Sequence, residues 1–156
     1  MKKNKYFLFE PTLGKEELKN LSHCIKSNWI SSNGKFVDEF ERKFSKYLGG
    51  GHAVAVSNGT TAIELALASL GIEKDDEVIV PNFTFAATIN AVIHIGAKPV
   101  LVDCDRDTWT IDLDKVSKVI NKKTKALLPV HIYGQPSKID EIIDFAKRKK
   151  LLVVED

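Results

Sequence analysis

The amino-acid sequence predicts an α/β fold in which a mostly parallel sheet is covered by helices. The main observation is a series of short apolar segments suited to buried strands, near residues 52–56, 77–80, 99–102, 125–130 and 151–154. Their starting positions differ by 25, 22, 26 and 26 residues, which is the length of a strand followed by a crossover helix. Such βαβ units form a parallel sheet with helices on its faces, and hence a three-layer sandwich.

Two amphipathic helices are predicted before the first strand. The first runs from about Lys15 to Ser27 and has one apolar stripe, formed by Leu18, Leu21 and Ile25. The second is indicated by residues that share one face, Val37, Phe40, Phe44 and Leu48. Three glycines at 49–51 end it. We therefore expect an N-terminal helical segment at 1–51 and the first part of a larger α/β domain at 52–156.

Composition and charge exclude several classes of function. The 156 residues are 44% hydrophobic and 28% charged, and the net charge is only +2. These values are typical of a globular protein that binds neither nucleic acid nor a membrane surface. No apolar run approaches the roughly 20 residues of a membrane helix, and no signal peptide is recognisable, so we expect a cytoplasmic protein. Cys24 and Cys104 lie in separate segments without metal-ligand spacing.

The segment 57–68 joins the first predicted strand to a helix and is a candidate anion site. Ser, Asn, Gly and Thr precede a run rich in alanine and leucine, and Thr61 with Glu64 fits a capping box. A helix start has unpaired N–H groups and the positive end of the helix dipole, so a phosphate can bind there. Gly59 permits close approach. Taken alone, these residues favour a simple helix cap over a ligand site.

Three further polar or aromatic stretches follow predicted strands. They are residues 81–85, 103–105 and 155–156. In an open parallel sheet, ligands bind beyond the carboxyl ends of the strands, which all lie at one edge. We therefore expect these stretches to converge with residues 57–61 into one candidate site.

The motifs of several common sites are absent from this edge. The chain has no Gly-x-x-x-x-Gly-Lys-Ser/Thr loop, no Gly-x-Gly-x-x-Gly turn after the first strand, no Gly-x-Ser-x-Gly elbow and no histidine pair with metal-ligand spacing. Pyridoxal phosphate instead needs a phosphate cradle, an aromatic face for its ring and a carboxylate beside its ring nitrogen. The turn 57–61, Phe83 or Phe85, and Asp156 can supply these three groups.

Several separate motifs point to a known family. They include NGTTA at 58–62, DEVIVP at 76–81, FTFAAT at 83–88, GAKPV at 96–100, PVHIYGQP at 129–136 and VED at 154–156. In order and spacing, they resemble the DegT/StrS-type sugar aminotransferases across essentially the whole chain. The resemblance implies an aspartate aminotransferase-like large domain (fold type I), pyridoxal 5'-phosphate, and transfer of an amino group, usually from glutamate, to a keto sugar on a nucleotide carrier. It also implies a homodimer.

The resemblance implies four cofactor-binding residues and no metal site. Gly59 and Thr60 match the phosphate-binding positions of the family. Phe85 matches the aromatic residue that stacks on the cofactor ring, and Asp156 matches the partner of the pyridine nitrogen. Because the resemblance groups this helix start with Phe85 and Asp156, we now interpret residues 57–61 as a ligand site rather than as a simple helix cap.

Other residues have a less specific match. The segment 28–41 is most similar to that of perosamine synthases, which make a GDP-linked 4-amino-4,6-dideoxymannose used in O-antigen biosynthesis. Related enzymes that make other 4-amino sugars look much alike here. Phe83 is then expected to pack in the core or at the rim, and His131 is open between a structural role and a ligand contact.

The sequence departs from the family in one large respect. The family's Schiff-base lysine and its small C-terminal domain lie beyond the position of Asp156, so we assign no catalytic residue and expect the 156-residue chain to be inactive alone. Two alternatives stay open: a dehydratase of the same family, which has a histidine in place of that lysine, and a non-catalytic remnant that associates through exposed apolar surface. A generic nucleotide-binding α/β module fits less well, because its Gly-rich turns are absent.

Overall fold

The computed structural model of the protein describes residues 10–31 and 34–156, and these form two compact units, Met1–Ala55 and Val56–Asp156. The helices are α1 (Lys15–Lys26), α2 (Lys35–Tyr47), α3 (Gly59–Ser69), α4 (Ala86–His94), α5 (Leu113–Val119) and α6 (Ile139–Lys149), with a 3₁₀ turn at Ile132–Gly134. The strands are β1 (Glu77–Pro81), β2 (Lys98–Val102), β3 (Thr124–Leu127) and β4 (Leu152–Val153). In the described part of the chain, no helix is long and apolar enough to cross a membrane.

The first unit contains the two N-terminal helices that the sequence predicts. The Glu17 carboxylate accepts a hydrogen bond from the Gly14 backbone N–H at 2.7 Å, and this contact fixes the start of α1. On α2, the rings of Phe40 and Phe44 stack with their centroids 5.6 Å apart, as residues four positions apart on one helix face can. No residue of either helix is buried within the structure.

The prediction of a strand at 52–56 is wrong for the described structure, in which these residues form no strand. A strand requires a neighbour that pairs with its N–H and C=O groups, and an apolar composition does not show whether such a neighbour is present. Here the Ala55 N–H instead donates to the Glu41 carboxylate at 2.7 Å. The predicted domain boundary after residue 51 stays a prediction.

The second unit is built on a four-stranded sheet with the order β2-β1-β3-β4. All three pairings are parallel, so that Ile79 lies opposite Val100 on β2 and opposite Leu127 on β3. Leu127 in turn lies opposite Val153 on β4. These pairings confirm the parallel sheet predicted from the spacing of the apolar segments.

Alternate residues of the strands point to two separate cores. Val78 and Val80 lie on the face covered by α3 and α4, in a core completed by Ile63, Leu67, Ile72, Ala91, Val92, Ala97, Ala126, Leu128 and Val154. Ile79 lies on the opposite face, where α5 and α6 complete a core of Val102, Ile111, Val116, Leu127, Ile142, Phe145 and Ala146. The alternation follows from the two-residue period of a strand. The predicted three-layer arrangement is therefore confirmed in this unit.

Candidate functional site

The first turn of α3 begins one turn earlier than the sequence motif suggests. Asn58 is the N-cap, and its Oδ1 accepts hydrogen bonds from the Thr61 backbone N–H at 2.9 Å and from the Thr61 hydroxyl at 3.2 Å. The predicted capping box of Thr61 and Glu64 is therefore wrong, because Asn58 has the same capping chemistry and lies three residues closer to the start of the segment. Glu64 instead contacts His94 Nδ1 at 2.6 Å.

This arrangement leaves the two predicted phosphate-binding residues with free donors. Among the described residues, the backbone N–H groups of Gly59 and Thr60 and the Thr60 hydroxyl have no acceptor. A side chain at Gly59 would meet no atom within 4 Å, so the space in front of the turn is open. Because no acidic residue lies in the first turn of α3, the positive end of the helix dipole has no nearby negative side chain. The turn can therefore bind an anion such as a phosphate.

Asp156 follows β4, and hydrogen bonds of both its backbone and its side chain hold it in place. Its N–H donates to the Pro129 carbonyl at 3.0 Å, and its carbonyl accepts from the His131 N–H at 2.8 Å, which extends the parallel pairing beyond the strand. Its Oδ2 accepts a hydrogen bond from the hydroxyl of Thr88, a residue of α4 that is fully buried. The residue itself stays exposed to solvent, so an anchored carboxylate is available to a ligand.

Phe85 lies immediately before α4, three residues before Thr88, whose hydroxyl contacts Asp156. It is the N-cap residue of α4, and its carbonyl accepts a hydrogen bond from the Thr88 N–H at 3.1 Å. Its side chain is 79% exposed, so a broad aromatic face is available. One helical turn thus connects the exposed ring to the hydroxyl that holds the carboxylate.

Phe83, the other aromatic candidate, lies in an aromatic cluster at the rim. Its ring meets Trp109 edge-on, with centroids 5.5 Å apart, and Tyr133 at 6.3 Å. Trp109 and Tyr133 have backbone φ angles of 60° and 49°, in the left-handed region that aromatic residues rarely adopt. The ring of Phe83 is therefore committed to packing within this cluster, whereas the ring of Phe85 is not.

The stretch after β2 meets the stretch after β1, as expected for neighbouring parallel strands. The Asn82 amide donates to the Asp103 carboxylate at 2.8 Å, and the Cys104 thiol lies 3.7 Å from the Asn82 amide oxygen. Partial burial raises the pKa of the Cys104 thiol, so the thiol is protonated at neutral pH. An open groove of about 970 Å³ borders these residues.

His131 has both ring nitrogens in hydrogen bonds within the protein. The Ser137 N–H donates to its Nδ1 at 3.0 Å, so Nε2 carries the proton and contacts the Glu155 carboxylate at 3.0 Å. Of the two roles left open by the sequence, this geometry favours the structural one. The ring fixes the loop whose backbone holds Asp156.

The structure brings some of the predicted site residues together directly and others indirectly. Phe85 and Asp156 are linked through Thr88. No hydrogen bond among the described residues joins Gly59 or Thr60 to either of them, and the connection is the packing of α3 on α4, through Ile63, Leu67, Ala91 and Val92. Sequence reasoning missed Thr88 as a site residue. The available signal was a threonine about one turn after Phe85, with alanine and isoleucine on either side of it in the helix.

The fold and the site together define a class of protein. A parallel α/β sheet with free N–H groups at a helix start and an anchored carboxylate beyond a strand end is typical of domains that bind phosphorylated ligands. The chain belongs to the DegT/DnrJ/EryC1/StrS aminotransferase family, whose family model matches residues 11–156. This match confirms the resemblance inferred from the motifs.

Individual relatives are similar over nearly the whole chain. The GDP-perosamine synthase of Caulobacter vibrioides is 47% identical over 146 residues, which cover 94% of this chain and 39% of that protein. The solved structure of an aminotransferase from Psychrobacter cryohalolentis has a TM-score of 0.88 at 36% identity and covers 94% of this chain, with 37% of its own chain matched. The chain spans 39 to 41% of the length of the curated relatives it matches first.

A third similar protein has a different activity in its name. The GDP-4-keto-6-deoxy-D-mannose-3-dehydratase of E. coli, solved with bound hydrated PLP, has a TM-score of 0.85 at 30% identity. The match covers 97% of this chain and 40% of the dehydratase. These structural likenesses confirm the predicted fold type I of pyridoxal phosphate enzymes, and they show that one fold serves two reactions.

Proposed function

We propose that the protein, expressed from its complete reading frame, is a pyridoxal phosphate-dependent aminotransferase that acts on a nucleotide-linked 4-keto-6-deoxy sugar. The observation that carries this proposal is a set of exposed groups with complementary chemistry. The start of α3 offers free donors, Phe85 offers an exposed ring, and Asp156 offers an anchored carboxylate. Membership of an aminotransferase family supports the same conclusion.

The residues present fit the cofactor by the chemistry of their donors and acceptors. The N–H groups of Gly59 and Thr60 and the Thr60 hydroxyl suit a phosphate, which has only acceptor oxygens at neutral pH. The exposed face of Phe85 suits a flat heteroaromatic ring. The Asp156 carboxylate suits a protonated ring nitrogen, because a carboxylate accepts a hydrogen bond from a cationic N–H strongly.

Each of these residues has a distinct part in the proposed mechanism. When bound, pyridoxal phosphate supplies an electron sink for the carbon that carries the amino group. Asp156 would keep a proton on the ring nitrogen, and this proton strengthens the electron-withdrawing character of the ring. The start of α3 would hold the phosphate, and Phe85 would set the plane of the ring. Together they orient the reacting atoms without taking part in bond formation.

The proposed substrate is a GDP-linked 4-keto-6-deoxy sugar, and the proposed amino donor is glutamate. The support is the 47% identity to a GDP-perosamine synthase, together with the similarity of the segment 28–41 to enzymes of that name. In the reaction, glutamate gives up its amino group and becomes 2-oxoglutarate. The sugar carbonyl becomes a carbon that bears hydrogen and an amino group, so the electrons of the two half-reactions balance.

The test is a product analysis with the protein made from its complete reading frame. The protein is loaded with pyridoxal phosphate and incubated with GDP-4-keto-6-deoxymannose and glutamate, and both products are measured by mass spectrometry. We expect a GDP-amino sugar and 2-oxoglutarate in equal amounts. Absence of 2-oxoglutarate, with the cofactor shown to be bound, would overturn the proposed reaction.

A dehydratase activity is the second candidate, and the likeness to the E. coli 3-dehydratase favours it. The same incubation separates the two reactions. The dehydratase predicts a keto product that has lost its 3-hydroxyl group and contains no added nitrogen. A glutamate labelled with ¹⁵N on its amino group makes the distinction direct, because only the aminotransferase transfers the label to the sugar.

We further propose that the complete protein is a homodimer. The support is the family resemblance and the exposed apolar side chains of Leu65, Leu70 and Ile93 on the layer formed by α3 and α4, since large exposed apolar surfaces mark association sites. Sedimentation velocity of the complete protein tests this. A dimer at micromolar concentration supports the proposal, and a stable monomer at that concentration contradicts it.

A further inference from the structure

We propose that Thr88 is a positioning residue that sets the orientation of the Asp156 carboxylate, and that Thr84 supports it. The inference rests on the proposed function, because the carboxylate matters only if a ring nitrogen binds to it. It concerns two threonine hydroxyls that lie behind the carboxylate, on the side of the protein core. Neither hydroxyl is needed to contact the cofactor.

The three side chains form a chain of hydrogen bonds with a fixed direction. The Thr88 hydroxyl lies within hydrogen-bond distance of Asp156 Oδ2 and is 2.8 Å from the Thr84 hydroxyl. An ionised carboxylate has no proton to donate, so Thr88 donates its single proton to Asp156. Thr84 must then donate to Thr88. The order of donors is Thr84, Thr88 and Asp156, and every proton in the chain points toward the carboxylate.

This chain determines which oxygen of Asp156 is available to a ligand. Oδ2 is occupied by Thr88, whereas Oδ1 has no hydrogen-bond donor among the described residues. Because Thr88 is fully buried, the side that it contacts is the protein side of the carboxylate. Oδ1 is therefore the oxygen presented to a ring nitrogen.

The contact is not the usual behaviour of a buried threonine on a helix. Such a residue ordinarily satisfies its hydroxyl on a backbone carbonyl one turn earlier in its own helix. Thr88 instead reaches a residue 68 positions away in the sequence. Its neighbours in α4 are mostly apolar, and a valine of the same shape would fill the space equally well, so the hydroxyl itself needs an explanation.

The position of Thr88 also couples the carboxylate to the predicted ring-stacking residue. The Thr88 N–H, in the first turn of α4, donates to the carbonyl of the N-cap residue Phe85 at 3.1 Å. The helix packs into the core through Ala91 and Val92, which are fully buried. The start of one helix would thus set the plane of a bound ring, through Phe85, and the direction of the acceptor for its nitrogen, through Thr88.

The experiment uses the complete protein loaded with pyridoxal phosphate that carries ¹⁵N in its ring. The ¹⁵N chemical shift reports whether the ring nitrogen is protonated, and a titration of the apo-protein gives the dissociation constant for the cofactor. Thr88→Val removes the hydroxyl and keeps the shape, while Thr88→Ser restores a hydroxyl. Thr110→Val is the matched control, because Thr110 is also a buried threonine whose hydroxyl contacts another threonine, Thr108, at 2.9 Å.

We expect Thr88→Val to weaken cofactor binding by about 10-fold, the loss typical when a group that orients a ligating side chain is removed. As the pH is raised, the ring nitrogen of the Thr88→Val protein should lose its proton at a lower pH than in the parent protein. Its ¹⁵N shift should therefore reach that of neutral pyridine at a lower pH. Thr88→Ser should restore both properties, and Thr110→Val should change neither. Thr84→Val, at a half-buried position, should give a smaller change in the same direction, and it provides the test if Thr88→Val does not fold.

The outcomes separate this inference from the proposed function. If the parent protein binds pyridoxal phosphate with a protonated ring nitrogen, and Thr88→Val and Thr84→Val behave like the parent, the positioning role is wrong while the cofactor assignment stands. If Thr88→Val and Thr110→Val weaken binding equally, the effect is a general loss of stability and the inference is also wrong. If the parent protein binds no cofactor at all, the proposed function fails and this inference fails with it.

Discussion

The two helical layers of the second unit differ in how their helices begin. On one face of the sheet, α5 is capped by Asp112, whose Oδ1 accepts the N–H groups of Asp114 and Lys115 at 2.8 and 3.4 Å. On that face, α6 has acidic residues in its first turn and basic residues in its last. These charges interact favourably with the helix dipole. On the other face, neither α3 nor α4 has an acidic residue in its first turn.

This difference agrees with the proposed phosphate site at the start of α3. In the α5/α6 layer, Asp112 caps α5, whereas no side chain caps α6, which instead has acidic residues in its own first turn. The α3/α4 layer leaves two N–H groups free at Gly59 and Thr60, and a ligand phosphate would supply the missing acceptor and the missing charge. The free N–H groups at the start of α3, together with the lack of an acidic residue in its first turn, support the proposed phosphate site, provided that both layers are equally well packed.

The first prediction tests whether both layers are equally well packed, and it concerns the largest expected change in the free energy of unfolding. Leu67 on α3 and Ile142 on α6 are both buried, one in each core. We expect Leu67→Ala and Ile142→Ala each to lower the free energy of unfolding by about 2–5 kcal/mol, as for other large-to-small changes in cores. Urea denaturation followed by circular dichroism measures both, with Leu101→Ala on the exposed side of β2 as a control.

A much smaller loss of stability in Leu67→Ala than in Ile142→Ala would contradict the claim that both layers are equally well packed. It would show that the α3/α4 layer is loosely packed, and its free N–H groups would then reflect fraying rather than preparation for a ligand.

The second prediction gives α3 the acidic first turn that α6 has. Gly59→Asp places a carboxylate beside the free N–H groups, where no atom lies within 4 Å of a new side chain. We expect pyridoxal phosphate binding to the complete protein to weaken at least about 10-fold, since like charges about 4 Å apart repel by ~1–4 kcal/mol in water or at a protein surface. Apo-protein stability should be unchanged or should rise by about 0.3–1 kcal/mol.

Gly59→Ala is the control for the loss of glycine, and it should weaken binding much less than Gly59→Asp does. Fluorescence titration with pyridoxal phosphate measures affinity, and thermal denaturation of the apo-protein measures stability. Equal affinity of Gly59→Asp and Gly59→Ala would place the phosphate away from this turn.

The third prediction removes the cap on the other layer. Asp112→Ala takes away the acceptor of two N–H groups at the start of α5, so we expect a loss of about 1 kcal/mol in the free energy of unfolding. Cofactor affinity should not change. Asp112→Asn keeps an acceptor oxygen, so its free energy of unfolding should fall much less. If both variants lost the same free energy of unfolding, the charge of Asp112 rather than its capping hydrogen bonds would stabilise the helix.

The fourth prediction concerns pH and has the smallest expected effect. The N–H groups of Thr108 and Asp107 and the Thr108 hydroxyl donate to the Asp105 carboxylate and lower its pKa from the ordinary value of 3.8. A lowered pKa in the folded state gives stability that is present above pH 3.8 and is lost as the pH falls through the lower folded value. Asp105→Asn keeps the acceptor and removes the titration.

The measurement for Asp105 is the difference in urea midpoint between the parent protein and Asp105→Asn at several pH values. We expect the parent to lose stability relative to the variant as the pH falls below 4. A difference that does not vary with pH would show that the turn stabilises the protein without regard to the charge of Asp105.

The sequence predicted the parts of the fold that depend on local periodicity. The alternation of apolar strands and helical segments predicted the parallel sheet, and the apolar stripe of α1 predicted that helix to within one residue at its C-terminal end. The strand expected at 52–56 failed because pairing depends on a neighbour elsewhere in the chain. The cap of α3 was assigned to Thr61 because Asn58 and Thr61 have the same capping chemistry, and local sequence does not rank them.

The site was predicted as a set of residues rather than as a geometry. The family match named Gly59, Thr60, Phe85 and Asp156 as the cofactor-binding residues, and those assignments stay proposals for this chain. The contact between Thr88 and Asp156 joins residues far apart in sequence, and no local pattern predicts such a hydrogen bond. The free N–H groups at Gly59 and Thr60 were likewise visible only after the structure showed what Asn58 satisfies.

The most direct measurement of the central claim is a crystal structure of the complete protein with pyridoxal phosphate. We expect the phosphate within hydrogen-bond distance of the Gly59 and Thr60 N–H groups, the ring against Phe85, and the ring nitrogen at Asp156 Oδ1. A phosphate bound elsewhere, with the start of α3 empty, would contradict it.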